Sequence, residues 1–183
     1  LFAGAIFSFL TFFIAIPSAI KVFNWIATMW RGSITLEAPM LFAISFLLIF
    51  TIGGLTGLFL AALSTDVHLH DTYFVVSHFH YVMAGSNLIA FLAGIHYWWP
   101  KMFGRMYSPR WANVGALLVF IGFNLTFFTQ FFLGMQGMPR RYPDYPDVFT
   151  GWNHVASLGS YLGGLSVLVF FYVAYKTFTS GEK

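Results

Sequence analysis

No cysteine occurs anywhere in this chain, and charged side chains are scarce, at 8% of the residues. The absence of cysteine excludes disulfide bonds and thiolate metal sites. The scarcity of charge excludes an ordinary soluble domain, in which about a quarter of the residues are charged. Hydrophobic residues instead make up 58% of the 183 residues. This balance predicts an integral membrane protein.

Five apolar windows are each long enough to cross a bilayer, since a spanning helix needs about 20 apolar residues. They occupy residues 1–29, 39–63, 73–99, 111–135 and 153–178. None alternates as a membrane-spanning strand would, so the predicted fold is all-α: a polytopic transmembrane bundle of five spanning helices. We predict that residues 1–183 are part of a single membrane domain. Because Leu1 already lies inside an apolar window, the chain resembles a piece of a longer protein and not one led by a signal peptide.

The charged residues fall into two sets that alternate along the chain. One set, in the connections after the first and third windows and at the C-terminus, is basic. The other set, in the remaining two connections, holds the four aspartates and a single pair of arginines. The positive-inside rule places the basic set in the cytoplasm or matrix. The basic set is Arg31, Lys101, Arg105, Arg110, Lys176 and Lys183; the outer set is Asp66, Asp71, Asp144 and Asp147 with Arg140 and Arg141.

The third window contains two histidines, His78 and His80, which are separated by a single residue. Helical positions two apart point about 200° apart, so the two rings cannot share one metal. Imidazole is a common axial ligand of haem iron, and each ring could serve its own haem. The alternative is a pair of packing histidines bonded to neighbouring helices. Ionisable residues within a membrane favour the functional interpretation.

Lys21 lies well inside the first window, where a lysine costs about 2.5–3.5 kcal/mol on insertion scales. Ser18 precedes it by three residues and shares its helix face. Pro17 removes a backbone hydrogen bond and makes room for water. These residues predict a proton pathway; the alternative is a lysine that extends its ammonium group to the inner interface.

The connection between the second and third windows contains Asp66, His68, His70 and Asp71. An imidazole beside carboxylates on a hydrated surface suits a hard divalent cation. From the residues alone, a solvated loop is the competing interpretation.

Two adjacent arginines, Arg140 and Arg141, lie on the side of the membrane where basic residues are disfavoured. Guanidinium groups bind carboxylates bidentately, so they are candidates for holding an acidic ligand. A local ion pair with Asp144 or Asp147 is the alternative.

The stretch HDTYFVVSHFHYV, residues 70–82, resembles the tenth-helix signature of subunit I in the haem–copper oxidase superfamily, which includes cytochrome c oxidase. The segments IPSAIKVFNWIATMWRG, FTIGGLTGLFLA and NLTFFTQFFLGMQGMPRRYPDYPD resemble the same subunit in the same order. The resemblance covers essentially the whole chain. It implies that the windows are the last five of twelve helices.

By this resemblance, His78 is the axial ligand of a high-spin haem and His80 is an axial ligand of a low-spin haem. Lys21 and Ser18 line an inner-side proton channel. At position 18 the family usually has threonine. The remaining implied roles are haem propionate binding by Arg140, Arg141 and Asp66, and magnesium or manganese binding by His70 and Asp71. His68 receives no role, and His96 and His154 are interpreted as packing or interfacial residues.

The resemblance also implies the activity: electrons pass from cytochrome c to dioxygen, with proton pumping, in a bacterial plasma membrane or mitochondrial inner membrane. The expected cofactors are two haems of type A, copper, and magnesium or manganese. The family's copper ligands lie upstream of Leu1, so the chain alone is expected to be inactive. The expected partners are the rest of subunit I, subunits II and III, cytochrome c, dioxygen and membrane lipid, without nucleic acid. The alternatives are a di-haem electron carrier and a cofactor-free, proton-coupled transporter.

Overall fold

The computed structural model describes residues 2–180, so Leu1 and Lys183 lie outside the described part. Six helices follow one another: α1 Phe2–Met29, α2 Ala38–Ala61, α3 Leu63–Leu69, α4 Tyr73–Phe103, α5 Pro109–Met135 and α6 Thr150–Ser180. All except the short α3 are long and apolar enough to span a membrane. The predicted all-α fold with five spanning helices is confirmed, and the protein is a multi-pass membrane protein.

Two helix ends differ from the predicted windows for reasons in the backbone. The window expected to end at Trp99, before Pro100, continues to Phe103, and the helix stops at Gly104, whose φ of 64° is left-handed. Glycine adopts that conformation without a steric cost, which makes it a common helix terminator. The second window, predicted to reach Leu63, ends at Ala61, where an extended Ala62 separates it from α3.

The helices α5 and α6 pack closely against each other. A β-carbon on Gly122 of α5 would lie 2.6 Å from the backbone nitrogen of Gly163, and one on Gly159 of α6 would lie 2.4 Å from that of Thr126. Small residues let spanning helices approach until their backbones touch, which gives van der Waals contact that lipid cannot offer.

The core lies between α2, α4 and α5. Phe42 and Ile49 of α2 pack with Phe74 and Tyr81 of α4 and with Phe131 of α5. The helix α1 contributes no fully buried residue and packs mainly against α2, where the Trp25 ring meets those of Phe46 and Phe50. The bundle thus centres on α4, the helix that carries both candidate haem ligands.

Two polar contacts join segments at the ends of neighbouring helices. At the end that the positive-inside rule assigns to the cytoplasm or matrix, a guanidinium nitrogen of Arg105 donates to the carbonyl oxygen of Phe178. At the opposite end, Arg140 contacts Asp71. We call these the inner end and the outer end below.

Candidate functional site

The imidazole of His78 points from α4 towards α2. Its Nδ1 lies 2.9 Å from the carbonyl oxygen of Gly53 and 3.4 Å from the hydroxyl of Thr56. A carbonyl oxygen can only accept, so Nδ1 carries the hydrogen and donates it. In the neutral ring, Nε2 therefore keeps its lone pair, which is the arrangement that a metal-binding histidine requires.

A glycine on α2 makes room for this ring. A β-carbon on Gly57 would lie 2.8 Å from Cε1 of His78, which is closer than real β-carbons approach other atoms. Gly54, one position after Gly53, would meet no atom within 4 Å. The glycines in the segment FTIGGLTGLFLA are therefore not equivalent, and Gly57 is the one that accommodates the imidazole.

The imidazole of His80 points towards α5. Its ring stacks on Phe127 with a centroid distance of 4.1 Å and an interplanar angle of 16°. Its Nδ1 donates to the carbonyl oxygen of Val76 at 2.7 Å, one turn earlier in the same helix. As in His78, this bond leaves the Nε2 lone pair available.

The two histidines thus serve different sides of one helix: His78 contacts α2 and His80 contacts α5. Each ring uses Nδ1 on a backbone carbonyl and keeps Nε2 for another partner. Both residues fit an axial ligand of haem iron, because a second hydrogen bond that orients the ring is the usual companion of histidine ligation.

The side of α5 near His80 carries a further polar group that the sequence reasoning missed. Gln130 follows Phe127 by three residues, so the two share a face. Its Oε1 is buried and has no hydrogen-bond partner among the described residues. Because buried polar atoms are nearly always paired, this amide has capacity to bind a group from outside the described residues.

A π-helical segment, residues His80–Leu88, begins at the second histidine. Within it, the Ser86 hydroxyl donates to the carbonyl oxygen of Tyr81, five residues earlier, at 2.7 Å. Tyr81 is fully buried, and its hydroxyl donates to Oδ1 of Asn124 at 2.8 Å. π-Helical turns often occur at functional sites. No apolar periodicity marks this segment in the sequence.

At the outer end, the loop before α4 is fastened to the loop after α5. Nε and a terminal nitrogen of Arg140 each lie 2.8 Å from Oδ1 of Asp71. The backbone nitrogen of Arg140 donates to the carbonyl oxygen of Asp71 at 2.9 Å. The backbone nitrogen of Tyr73 donates to the carbonyl oxygen of Met138 at 3.0 Å. We call this pairing of residues 71–73 with 138–140 the outer clasp. The sequence offers Asp144 and Asp147 as local partners of Arg140. Arg140 pairs with Asp71 instead.

The hydrogen bond from Arg140 holds the pKa of the Asp71 carboxyl below its usual range. Oδ2 of Asp71 lies 3.4 Å from Nε2 of His70, and both side chains are exposed. Within residues 2–180, no group of three or more His, Asp or Glu side chains is placed to hold a metal ion. His70 and Asp71 would therefore supply two ligands and leave the others to water or another chain.

The remaining candidate residues are not brought to the histidines. Lys21 is exposed on α1, with its ammonium nitrogen 5.3 Å from the centroid of the Trp25 ring. The Ser18 hydroxyl bonds weakly to the carbonyl oxygen of Ile14 at 3.4 Å. Asp66 is half-buried in α3, and Arg141 is exposed with a φ of 67°.

His96, interpreted from the sequence as a packing residue, is 4% exposed. It packs against the rings of Phe42, Tyr107 and Phe170. His154 is exposed near the start of α6.

Comparison with known proteins decides the family. Residues 1–162 match the family described as cytochrome c and quinol oxidase polypeptide I. This chain belongs to that family. A cytochrome c oxidase subunit 1 of Cereibacter sphaeroides is 52% identical over 178 residues, which are 97% of this chain and 31% of the relative. A probable cytochrome c oxidase subunit 1-alpha of Streptomyces coelicolor is 49% identical over 179 residues, again 97% and 31%.

The chain therefore spans about a third of the length of the relatives it matches. A solved haem–copper terminal oxidase dimer superposes with a TM-score of 0.85 at 23% identity, covering 98% of this chain and 37% of that one. This likeness establishes that the two share a fold. The predicted membership of the haem–copper oxidase superfamily is confirmed.

Proposed function

We propose that this chain is the C-terminal part of the catalytic subunit of a proton-pumping terminal oxidase. The complete subunit would transfer electrons from cytochrome c to dioxygen and release water. The observation that carries the proposal is the pair of imidazoles on opposite sides of α4, each with Nδ1 bonded to a carbonyl oxygen. Family membership supports it, since the C. sphaeroides relative is named cytochrome c oxidase subunit 1.

In this proposal, Nε2 of His78 binds the iron of a high-spin haem and Nε2 of His80 binds that of a low-spin haem, both of type A. Haem iron supplies one-electron transfer and oxygen binding when present. The protein fixes both rings: Gly53 orients His78 and Val76 orients His80 through their carbonyl oxygens. Phe127 covers one face of His80 and excludes water from it.

The outer end would bind the propionates and a divalent cation. Arg140, Arg141 and Asp66 are the proposed propionate contacts, and His70 and Asp71 are the proposed ligands of magnesium or manganese. Because Arg140 already pairs with Asp71, the propionate role requires Arg140 to share its five donors between two carboxylates, which its guanidinium geometry allows. This arrangement would couple the cation site to the haem edge.

Lys21 and Ser18 are the proposed start of a proton pathway from the inner side. In the described chain, Lys21 is exposed and α1 has no buried residue, so another part of the complete subunit would cover them. The copper ligands would also come from outside these residues. We further propose subunits II and III as partners, and a bacterial plasma membrane or mitochondrial inner membrane as the location.

Absorption spectroscopy of the complete subunit, with His78→Ala, His80→Ala and a His154→Ala control, tests the proposal. We expect His80→Ala to remove the low-spin haem signal and His78→Ala to remove the high-spin signal, because each variant lacks one iron ligand. His154 is exposed near the start of α6, whereas the two rings contact α2 and α5, so its variant should match the wild type.

Wild-type haem spectra in both α4 variants would refute the ligand assignment. Metal analysis of the same preparations separates the oxidase from a di-haem carrier, since iron without copper supports only the carrier.

A further inference from the structure

A pocket lined by both polar and apolar side chains lies at the inner end of the bundle, between the start of α5 and the end of α6. Its volume is about 290 Å³, and its lining includes Tyr107, Ser108, Lys176 and Ser180. The Ser108 side chain makes no capping bond to α5, so its hydroxyl is available to a ligand. The Tyr107 ring, which is 5% exposed, packs against His96 and Trp99 and forms part of the pocket lining.

One cation lines this pocket, and two more lie in the adjoining segments. Lys176 lines it directly, and Arg110 lies in the first turn of α5. Arg105 is held alongside by its bond to the carbonyl oxygen of Phe178, near the end of α6. Such a group of cations at a membrane surface attracts anionic headgroups, and each lysine or arginine contributes about 1 kcal/mol.

An apolar surface continues from the pocket towards the middle of the membrane. Trp111 of α5 and Tyr172 of α6 meet edge to face, with centroids 5.1 Å apart, one turn deeper than the pocket. Below them, Val114, Leu117, Leu165 and Leu168 are exposed. Aromatic side chains at this depth mark the interface between headgroups and acyl chains.

We infer that this pocket binds the phosphate of an anionic phospholipid, with Lys176 and Ser108 as its contacts and with an acyl chain along Trp111 and Tyr172. A free phosphate ion would satisfy the charges but would leave the adjoining apolar surface uncovered. The continuity of a cationic pocket with an exposed apolar groove therefore selects a lipid. The inference is independent of the proposed redox chemistry.

Lipid titration of the complete detergent-solubilised protein, followed by native mass spectrometry, tests this site. The probe is phosphatidylglycerol, with phosphatidylcholine as the neutral reference. We expect Lys176→Gln to weaken phosphatidylglycerol binding about fivefold, the equivalent of one lost headgroup cation. Lys176→Arg should retain binding. Lys101→Gln is the matched control, because Lys101 is an exposed inner-end lysine outside the pocket.

Equal phosphatidylglycerol affinity in the wild type and Lys176→Gln overturns the inference, as does an equal loss in Lys101→Gln. Inorganic phosphate distinguishes the two sources of the phosphate group. If it displaces the lipid as effectively as added phosphatidylglycerol does, the pocket is a free-anion site and the lipid assignment fails.

Discussion

Gly57 lies so close beneath His78 that a methyl group on the glycine would stand 2.8 Å from Cε1 of the imidazole. The approach is closer than van der Waals contact, so a side chain at position 57 must displace the ring or separate α2 from α4. The geometry of the proposed high-spin ligand therefore depends on a residue that carries no chemistry of its own.

Gly57→Ala in the complete subunit should reduce the high-spin haem signal and leave the low-spin signal unchanged, because His80 faces α5 and not α2. The matched control is Gly54→Ala, which would meet no atom within 4 Å. Absorption spectra of the reduced protein measure both signals. A Gly57→Ala spectrum identical to that of Gly54→Ala would show that the ring has more freedom than the structure gives it.

Gly159→Ala should lower the stability of the complete subunit by about 1–3 kcal/mol, the usual cost of overpacking a tight contact. The new methyl group would lie 2.4 Å from the Thr126 nitrogen, whereas Gly164→Ala would meet nothing within 4 Å. Thermal unfolding in detergent compares the two variants. Similar midpoints for both would contradict the close approach of α5 and α6.

The outer clasp should loosen in Asp71→Asn, since the neutral amide loses the charge-assisted bonds to Arg140. Hydrogen exchange at the backbone nitrogens of Tyr73 and Arg140, which donate across the clasp, should become faster. Asp147→Asn is the control, because Asp147 lies outside the clasp. Unchanged exchange at both amides in Asp71→Asn would mean that the backbone bonds hold without the ion pair.

The clasp should also respond to acid. The folded pKa of Asp71 is below that of the unfolded chain, so its contribution is fully present above the ordinary aspartate pKa of about 3.9 and is lost as the pH falls through the lowered value. Faster exchange of the same two amides should begin only below that ordinary value. Loosening that began near neutral pH would point to a different titrating group.

Tyr81→Phe should destabilise the protein by roughly 0.5–1.5 kcal/mol, because the hydrogen bond to Oδ1 of Asn124 is lost. Tyr161→Phe, at an exposed position of α6, provides the control. Thermal unfolding measures the difference. If the two variants unfold together, the Asn124 amide has found another partner.

The five spans and the opposed histidines were predictable because they follow from apolar length and from the angle per residue of a helix. Other features depend on contacts between distant segments. The sequence places Arg140 near Asp144 and Asp147, yet the clasp joins it to Asp71, since the backbones of residues 71–73 and 138–140 pair. Pro100 suggested a helix end, but the helix continues until Gly104.

The π-helical turns of α4 have a consequence for the whole length of that helix. They begin at His80 and separate the outer part of the helix, where His78 is located, from its inner part, where His96 and Trp99 are buried. A π turn closes its hydrogen bonds over five residues instead of four, so it changes the angular phase of everything that follows. The two ends can therefore each face their own neighbours, and a one-residue deletion within 81–88 would rotate one end out of alignment with the other.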